Sequence, residues 1–112
     1  IHPGKIEDLA VGHPEVEKAA VIPVRDRRLG EKVCIAIVPP NGTNPDVEKI
    51  LSYLYSSGLS VYDLPEYYAV LANLPLTASG KVLKRELVKQ VDRGDFTPLP
   101  VRFSVSEDLK KT

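Results

Sequence analysis

The sequence predicts an α+β fold in which a small three-stranded sheet packs against helices. Residues 19–24 and 33–38 are apolar on both alternations and are separated by a charged loop, which predicts two paired strands covered on both faces. Three other segments carry apolar residues at helical spacing. The order helix, strand, strand, helix, strand, helix is typical of one sheet with helices against it.

The first helix is predicted over residues 3–11, where Ile6, Leu9 and Ala10 form one apolar stripe and Pro3 is tolerated in the first turn. His13-Pro14 then ends it. The hairpin follows, with a polar loop over residues 25–32 that contains Gly30.

The second helix is predicted to have Asn44 as its N-cap and Pro45 as its first residue, and to end at Gly58. Its apolar face, which we expect to enter the core, comprises Val47, Ile50, Leu51 and Leu54.

The third strand is predicted over residues 66–71, between Pro65 and Pro75. Leu83, Leu87 and Val91 then begin a third helix that ends at Gly94. We expect residues 1–94 to form the domain. Residues 95–112 are interpreted as a dispensable tail or linker, with one possible strand around Val101, Phe103 and Val105.

The composition excludes several classes of function. Fifteen basic residues balance fifteen acidic ones, so bulk positive charge for nucleic-acid binding is missing. The longest apolar run is far shorter than the roughly 20 residues of a membrane helix, and we expect a soluble, cytoplasmic protein. The single cysteine, Cys34, lies among apolar residues and is predicted to be a buried core residue.

Most candidate sites have a simpler structural explanation. The two histidines, His2 and His13, lack the spacing of metal ligands or of a catalytic set, and no metal site is predicted. Residues 56–60, SSGLS, lack the acidic residue expected before a carrier-protein serine, and a helix C-terminus explains them better.

Residues 77–81 are different. Thr77, Ser79 and Gly80 lead into Lys81 at the start of a helix. Glycine permits a left-handed backbone, so the lysine can project from the turn. The segment is not a phosphate-binding P-loop, because Pro75 and Val82 occupy positions that such a loop gives to glycine and to Ser/Thr. Spacing alone leaves an ordinary surface lysine as the alternative.

Residues 74–87, LPLTASGKVLKREL, resemble the last motif of the adenylate-forming superfamily, which includes acyl-CoA synthetases, nonribosomal-peptide adenylation domains and luciferases. Four further segments match in the family's order. They are Ile1, Pro3, Ile6 and Glu7; His13 to Val16 with Ala19 to Val21; Gly30-Glu31; and Tyr62 with Pro65. The chain is thereby identified as similar to the C-terminal lid domain of AMP-binding ligases, over residues 1 to about 91.

The resemblance implies an ATP- and Mg²⁺-dependent activation of a carboxylic acid to an acyl-adenylate, followed by transfer to a thiol of CoA or of a carrier protein. It implies Lys81 as the catalytic residue, on a turn that Thr77, Ser79 and Gly80 shape near the nucleotide. The N-terminal adenylation domain of the same polypeptide would hold ATP and the acid, so the 112-residue chain alone is expected to be inactive.

Several alternatives stay open. The favoured hypothesis is the lid of an acyl-CoA synthetase of fatty or aromatic acids, and the nearest alternative is the lid of an adenylation domain that loads a carrier protein. A non-catalytic interaction module is a third. Two positions depart from the family, which usually has an acidic residue where Lys5 stands and a lysine where Asp63 stands, so the local ion pairs are expected to differ.

Overall fold

The computed structural model describes residues 3–26, 30–41, 43–60 and 63–101. Within these ranges the chain forms three helices and four strands. In order they are α1 (Pro3–Ala10), β1 (Lys18–Asp26), β2 (Gly30–Val38), α2 (Val47–Ser56), β3 (Tyr67–Val70), α3 (Lys84–Asp92) and β4 (Leu99–Pro100). The α+β class and the predicted order of the first six elements are confirmed.

The strands form one mixed sheet in the order β1-β2-β3-β4. The predicted hairpin is confirmed, since β1 and β2 pair antiparallel with Ala20 opposite Ala36. After β2 the chain crosses through α2 and returns as β3, which lies parallel to β2 with Cys34 opposite Tyr67. One edge of the described sheet is therefore β1 and the other is β4.

The prediction of three strands was wrong, because β4 adds a fourth that pairs antiparallel with β3. It has only two residues, too few for a detectable hydrophobic period, and it contains Pro100. Proline lacks the N–H of a central strand, but an edge strand tolerates it. The ladder contact continues at Val101, whose N–H donates to the Glu66 carbonyl over 2.9 Å.

Alternating side chains divide the core into two clusters on opposite faces of the sheet. The first face packs against α1 and α2, and its members are Ile6, Ala10, Val16, Val21, Ile35, Ile37, Val47, Ile50, Leu51, Leu54, Leu59 and Leu64. The second face packs against α3, and its members are Ala20, Ile22, Cys34, Ala36, Val38, Ala69, Leu74 and Leu87. Burial of the strands on both faces is confirmed.

The start of α2 differs from the prediction. The N-cap is Asp46 rather than Asn44, and its carboxylate accepts a hydrogen bond from the Lys49 N–H over 3.3 Å. Aspartate and asparagine cap helices equally well, so the sequence offers two competing starts. The predicted core face is confirmed, since all four of its apolar residues are buried.

Both α2 and α3 end where glycine was predicted to end them. Gly58 has a φ of +102° and Gly94 a φ of +80°, the left-handed region that glycine adopts without steric cost. At the end of α2, the Gly58 N–H donates to the Tyr55 carbonyl and the Leu59 N–H to the Leu54 carbonyl. This is a Schellman motif, which satisfies the last carbonyls of the helix.

Cys34 is fully buried on the second face, as predicted, and desolvation raises the pKa of its thiol to about 12. None of the helices in the described part of the chain has the length and apolarity to cross a membrane. The predictions made for Ile1, His2, Tyr62, Phe103 and Val105 concern residues outside the described ranges.

Candidate functional site

The predicted lysine turn is the loop of a small hairpin. Leu76 and Val82 form an antiparallel bridge, and the Leu83 N–H donates to the Pro75 carbonyl over 2.8 Å. Inside this bridge the Thr77 N–H donates to the Lys81 carbonyl, also over 2.8 Å. Residues 78–80 are thus a three-residue hairpin loop, and Lys81 is the first residue of the returning arm. The prediction that Lys81 starts a helix was wrong, because the backbone first pairs with residues 75–77 and α3 begins at Lys84.

Hydrogen bonds within the loop fix its shape. The Gly80 N–H donates to the Thr77 carbonyl over 2.9 Å, and the Lys81 N–H donates to the Thr77 hydroxyl over 3.1 Å. The Ser79 hydroxyl lies 3.0 Å from the same Thr77 oxygen. Gly80 has a φ of +89°, as is typical of a turn followed by a left-handed glycine in a three-residue loop. The two hydroxyls are therefore engaged with the turn itself.

Lys81 is exposed, and among the described residues no ion pair uses its ammonium group. The neighbouring cation Lys84 is paired, so the two lysines of this segment have different environments. An exposed ammonium on a hydrogen-bonded backbone is well suited to meet an anionic group of another molecule or domain.

The hairpin is anchored on the second face of the sheet. Leu74 is buried in that cluster, Val82 packs against it, and Leu87 of α3 is fully buried there. Leu76 and Leu83, which bracket the turn, are instead 40% and 41% exposed. One side of the segment thus packs on the sheet, and its other side exposes the apolar side chains of Leu76 and Leu83 near Lys81.

Sequence reasoning missed one contact of this segment. The Lys84 ammonium lies 2.6 Å from the Glu7 carboxylate, and the Val21 N–H donates to the same oxygen, Oε2, over 2.7 Å. The sequence contains a signal for it, because a lysine in the first turn of a helix faces the positive end of the helix dipole and needs compensation.

Lys5 and Asp63, the two positions that depart from the family, lie together on the wall of a small cleft. Its volume is about 150 Å³, and Ile6, Gly58, Leu59 and Ser60 complete the lining. None of the ion pairs found among the described residues joins these two side chains. Residues 5 and 63 therefore line the same cleft, although they are far apart in sequence.

A larger groove of about 630 Å³ lies elsewhere, between the start of α2 and strands β3 and β4. Its lining includes Asp46, Tyr68 and Phe96 and none of the turn residues 77–81. In the described part of the chain, no group of three or more histidine, cysteine, aspartate or glutamate side chains is placed to hold a metal ion.

Comparison with known protein families gives a match over residues 5–81, which correspond to the family described as the AMP-binding enzyme C-terminal domain. The match extends from α1 to Lys81 and so includes the whole lysine turn. It covers more than half of the chain.

Two curated relatives represent two kinds of enzyme. The mitochondrial medium-chain acyl-CoA ligase of Homo sapiens is 36% identical over 93 residues, which are 83% of this chain and 15% of the relative. A pyochelin synthase of Pseudomonas aeruginosa is 33% identical over 89 residues, which are 80% of this chain and 16% of the relative. The chain thus spans about one sixth of the length of these proteins.

A solved structure of similar fold is the fatty acyl CoA synthetase of Mycobacterium tuberculosis. It superimposes with a TM-score of 0.72 at 28% identity, and the shared region covers 82% of this chain and 18% of that one. Sequence and fold comparisons therefore agree on the same region of much longer enzymes.

Proposed function

The chain belongs to the AMP-binding enzyme C-terminal domain family, and on that premise we propose that it is the lid domain of an acyl-CoA synthetase. The proposed enzyme converts a carboxylic acid and ATP to an acyl-adenylate and pyrophosphate, and then transfers the acyl group to the thiol of CoA. The chain would work with an N-terminal adenylation domain of the same polypeptide, consistent with its 15% share of the human ligase.

The observation that carries this proposal is the exposed ammonium of Lys81 on a hydrogen-bonded turn, with no ion-pair partner among the described residues. When a carboxylate attacks the α-phosphate of ATP, negative charge accumulates on phosphoryl oxygens. A cation held beside those oxygens stabilises the transition state more than the ground state. The same cation reduces the repulsion between two anionic reactants. Lys81 is accordingly the proposed catalytic residue.

ATP and Mg²⁺ are assigned mainly to the N-terminal domain. Mg²⁺ prefers carboxylate, phosphate and water oxygens, whereas the turn offers an ammonium group and two hydroxyls that already bond within it. These groups fit a phosphoryl or carboxylate oxygen rather than a magnesium ion. Thr77, Ser79 and Gly80 are proposed to act on the nucleotide indirectly, by holding the backbone of Lys81 in place.

The second half-reaction is proposed to need a different orientation of the lid. After adenylation the lid would rotate, withdraw Lys81 and present another surface to the incoming thiol. Lys81 should therefore matter for the first half-reaction and not for the second.

The test is Lys81→Ala in the full-length ligase. We expect the adenylation rate, measured as pyrophosphate exchange, to fall by roughly two to three orders of magnitude, as is typical for loss of one preorganised electrostatic contact. Thioester formation from supplied acyl-adenylate should continue at nearly the rate of the unsubstituted enzyme.

The matched control is Lys89→Ala, which removes another exposed lysine from the same segment. It should leave both half-reactions unchanged. An equal loss of both half-reactions in Lys81→Ala would indicate general damage to the lid, and unchanged adenylation would remove Lys81 from the mechanism.

The second candidate is a lid that serves a carrier protein instead of CoA, and the pyochelin synthase among the relatives favours it. The two candidates differ only in the acceptor thiol. Incubation of the acyl-adenylate with CoA or with a phosphopantetheinylated carrier protein distinguishes them. Pyrophosphate exchange with a panel of fatty and aromatic acids identifies which carboxylic acid the full-length enzyme activates.

Two further predictions accompany the proposal. A non-catalytic module would show no pyrophosphate exchange with any carboxylic acid, even in the full-length protein without substitutions, so the unsubstituted protein in the same assay tests it. The cytoplasmic location stays a prediction, and microscopy of the tagged full-length protein would check it.

A further inference from the structure

The Glu7 carboxylate connects three elements at the open edge of β1. One of its oxygens lies 2.6 Å from the Lys84 ammonium and accepts the Val21 N–H over 2.7 Å. The Glu7 side chain is 20% exposed and that of Lys84 is 40% exposed. The contact is thus partly withdrawn from water, where the attraction between opposite charges is stronger than on an open surface.

The ion pair joins two helices that pack on opposite faces of the sheet. Helix α1 packs on the first face of the sheet and α3 on the second, as their buried residues Ile6 and Leu87 show. The Glu7–Lys84 pair therefore passes around the edge of the sheet and joins the two helical layers. By contrast, Arg93, the C-cap of α3, pairs with Glu86 of that helix and with the nearby Asp95, on a more exposed surface.

The Lys84 end of the contact lies close to the lysine turn. Lys84 is the first residue of α3, and Lys81 is three residues earlier in the chain. Between them, Leu83 is hydrogen-bonded to Pro75 at the base of the hairpin. A displacement of Lys84 would consequently be transmitted to the turn through a short segment whose backbone is held at Val82 and Leu83.

We propose that Glu7 and Lys84 are positioning residues that hold the lysine turn at a fixed place relative to α1. This inference rests on the proposed function, in which an N-terminal adenylation domain of the same polypeptide precedes α1 and holds the reactants. The ion pair would then define where Lys81 meets the reacting phosphoryl group. Neither residue of the pair contacts substrate in this proposal, and both act through Lys81.

Two single substitutions in the full-length ligase remove the pair from either side. Glu7→Gln eliminates the negative charge but retains an oxygen that can accept the Val21 N–H. Lys84→Ala eliminates the ammonium, and Lys84→Arg retains the positive charge. The controls are Glu86→Gln and Lys89→Ala, which change the same charges elsewhere on α3.

We expect Glu7→Gln and Lys84→Ala each to lower kcat of pyrophosphate exchange by about tenfold. The reason is that displacement of a catalytic group by even less than about 1 Å from the reacting atoms slows the reaction strongly. The KM values for ATP and the acid, and thioester formation from supplied acyl-adenylate, should stay within about twofold of the unchanged enzyme. Lys84→Arg should retain most of the adenylation rate, and the control variants all of it.

The double variant Glu7→Gln/Lys84→Ala tests whether the two residues act as one unit. Since either single change breaks the same contact, the double change should cost no more than about the larger single effect. A product of the two single effects would show independent roles and overturn the proposal.

Three other results would also overturn it. These are unchanged adenylation in both single variants, equal loss of both half-reactions, and the same loss in the control variants. If Lys84→Ala fails to fold, Glu7→Gln alone carries the test. Lys81→Ala is measured in parallel, so a failure of the proposed function, seen as unchanged adenylation there, is distinguished from a failure of the positioning pair.

Discussion

The two faces of the sheet are built from side chains of different size. On the first face the sheet contributes Val21, Ile35 and Ile37, which pack against two helices. On the second face many of its contributions are small, namely Ala20, Cys34, Ala36 and Ala69, and a single helix covers them. That helix, α3, has one buried residue, Leu87.

The difference indicates a division of roles. Among the described residues, the first face has the larger buried cluster, with twelve residues against eight on the second, and burial of apolar surface is the main source of stability. Small side chains on the second face let α3 and the lysine hairpin lie close to the sheet with few anchors. We infer that the first face holds the domain together and that the second face seats its proposed functional segment.

The strongest test of this division compares two identical substitutions, Leu51→Ala on the first face and Leu87→Ala on the second. Both residues are fully buried, so each change should lower the free energy of unfolding of the 112-residue chain by about 3 kcal/mol. Urea denaturation followed by circular dichroism measures this loss.

The functional consequences should differ, because Leu87 anchors α3. In the full-length ligase, assayed at a temperature where both variants are folded, Leu87→Ala should lower pyrophosphate exchange by about tenfold or more. Leu51→Ala should leave it within about twofold. Equal activity losses in the two variants would contradict separate roles for the two faces.

Much of this division could be predicted from the sequence. Apolar residues on both alternations of the two long strands predict a sheet covered on both sides, and the stripe of α2 identifies the helix face that covers one of them. The sequence predicts a strand in the tail around Val101, Phe103 and Val105, but the position of β4 at Leu99–Pro100 could not be predicted, because two residues have no period and Pro100 argues against a strand. The N-cap of α2 was ambiguous between two residues of equal capping strength.

A second test concerns the segment after Gly94, which the sequence predicts to be dispensable within about 1 kcal/mol. The structure shows Phe96 and Val101 packed against the two clusters and Leu99 paired with Tyr68. A chain that ends at Gly94 should therefore lose about 2 kcal/mol of stability through exposure of this apolar surface.

The control is a chain that ends at Val101, which retains β4 and its contacts. Its urea midpoint should be close to that of the 112-residue chain. If both truncations unfold at the same urea concentration, β4 contributes nothing and the predicted boundary at residue 94 gains support.

The lysine turn was predicted as a turn from Gly80 and its polar neighbours, but its connection to α1 was not. The family resemblance implies that Thr77 and Ser79 shape the turn near the nucleotide, and the structure shows their hydroxyls bonded within the loop. The Glu7–Lys84 pair joins residues of α1 and α3 that are far apart in sequence, and only the three-dimensional fold brings such residues together.

The smallest expected effect on stability comes from alanine at two left-handed glycines, one in the lysine turn and one at the end of α2. Gly80 and Gly58 both have a left-handed φ, +89° and +102°, and an added Cβ would meet no atom within 4 Å at either position. Alanine at each should therefore cost about 1 kcal/mol of backbone strain and nothing more. In Gly80→Ala the strained turn should hold Lys81 less well in the transition state. If about 1 kcal/mol of transition-state stabilisation is lost, pyrophosphate exchange should fall by about fivefold. Gly58→Ala shares the strain but lies at the end of α2, so its exchange rate should not change. If the two variants lose stability equally and both keep full activity, the conformation at Gly80 has no part in presenting Lys81.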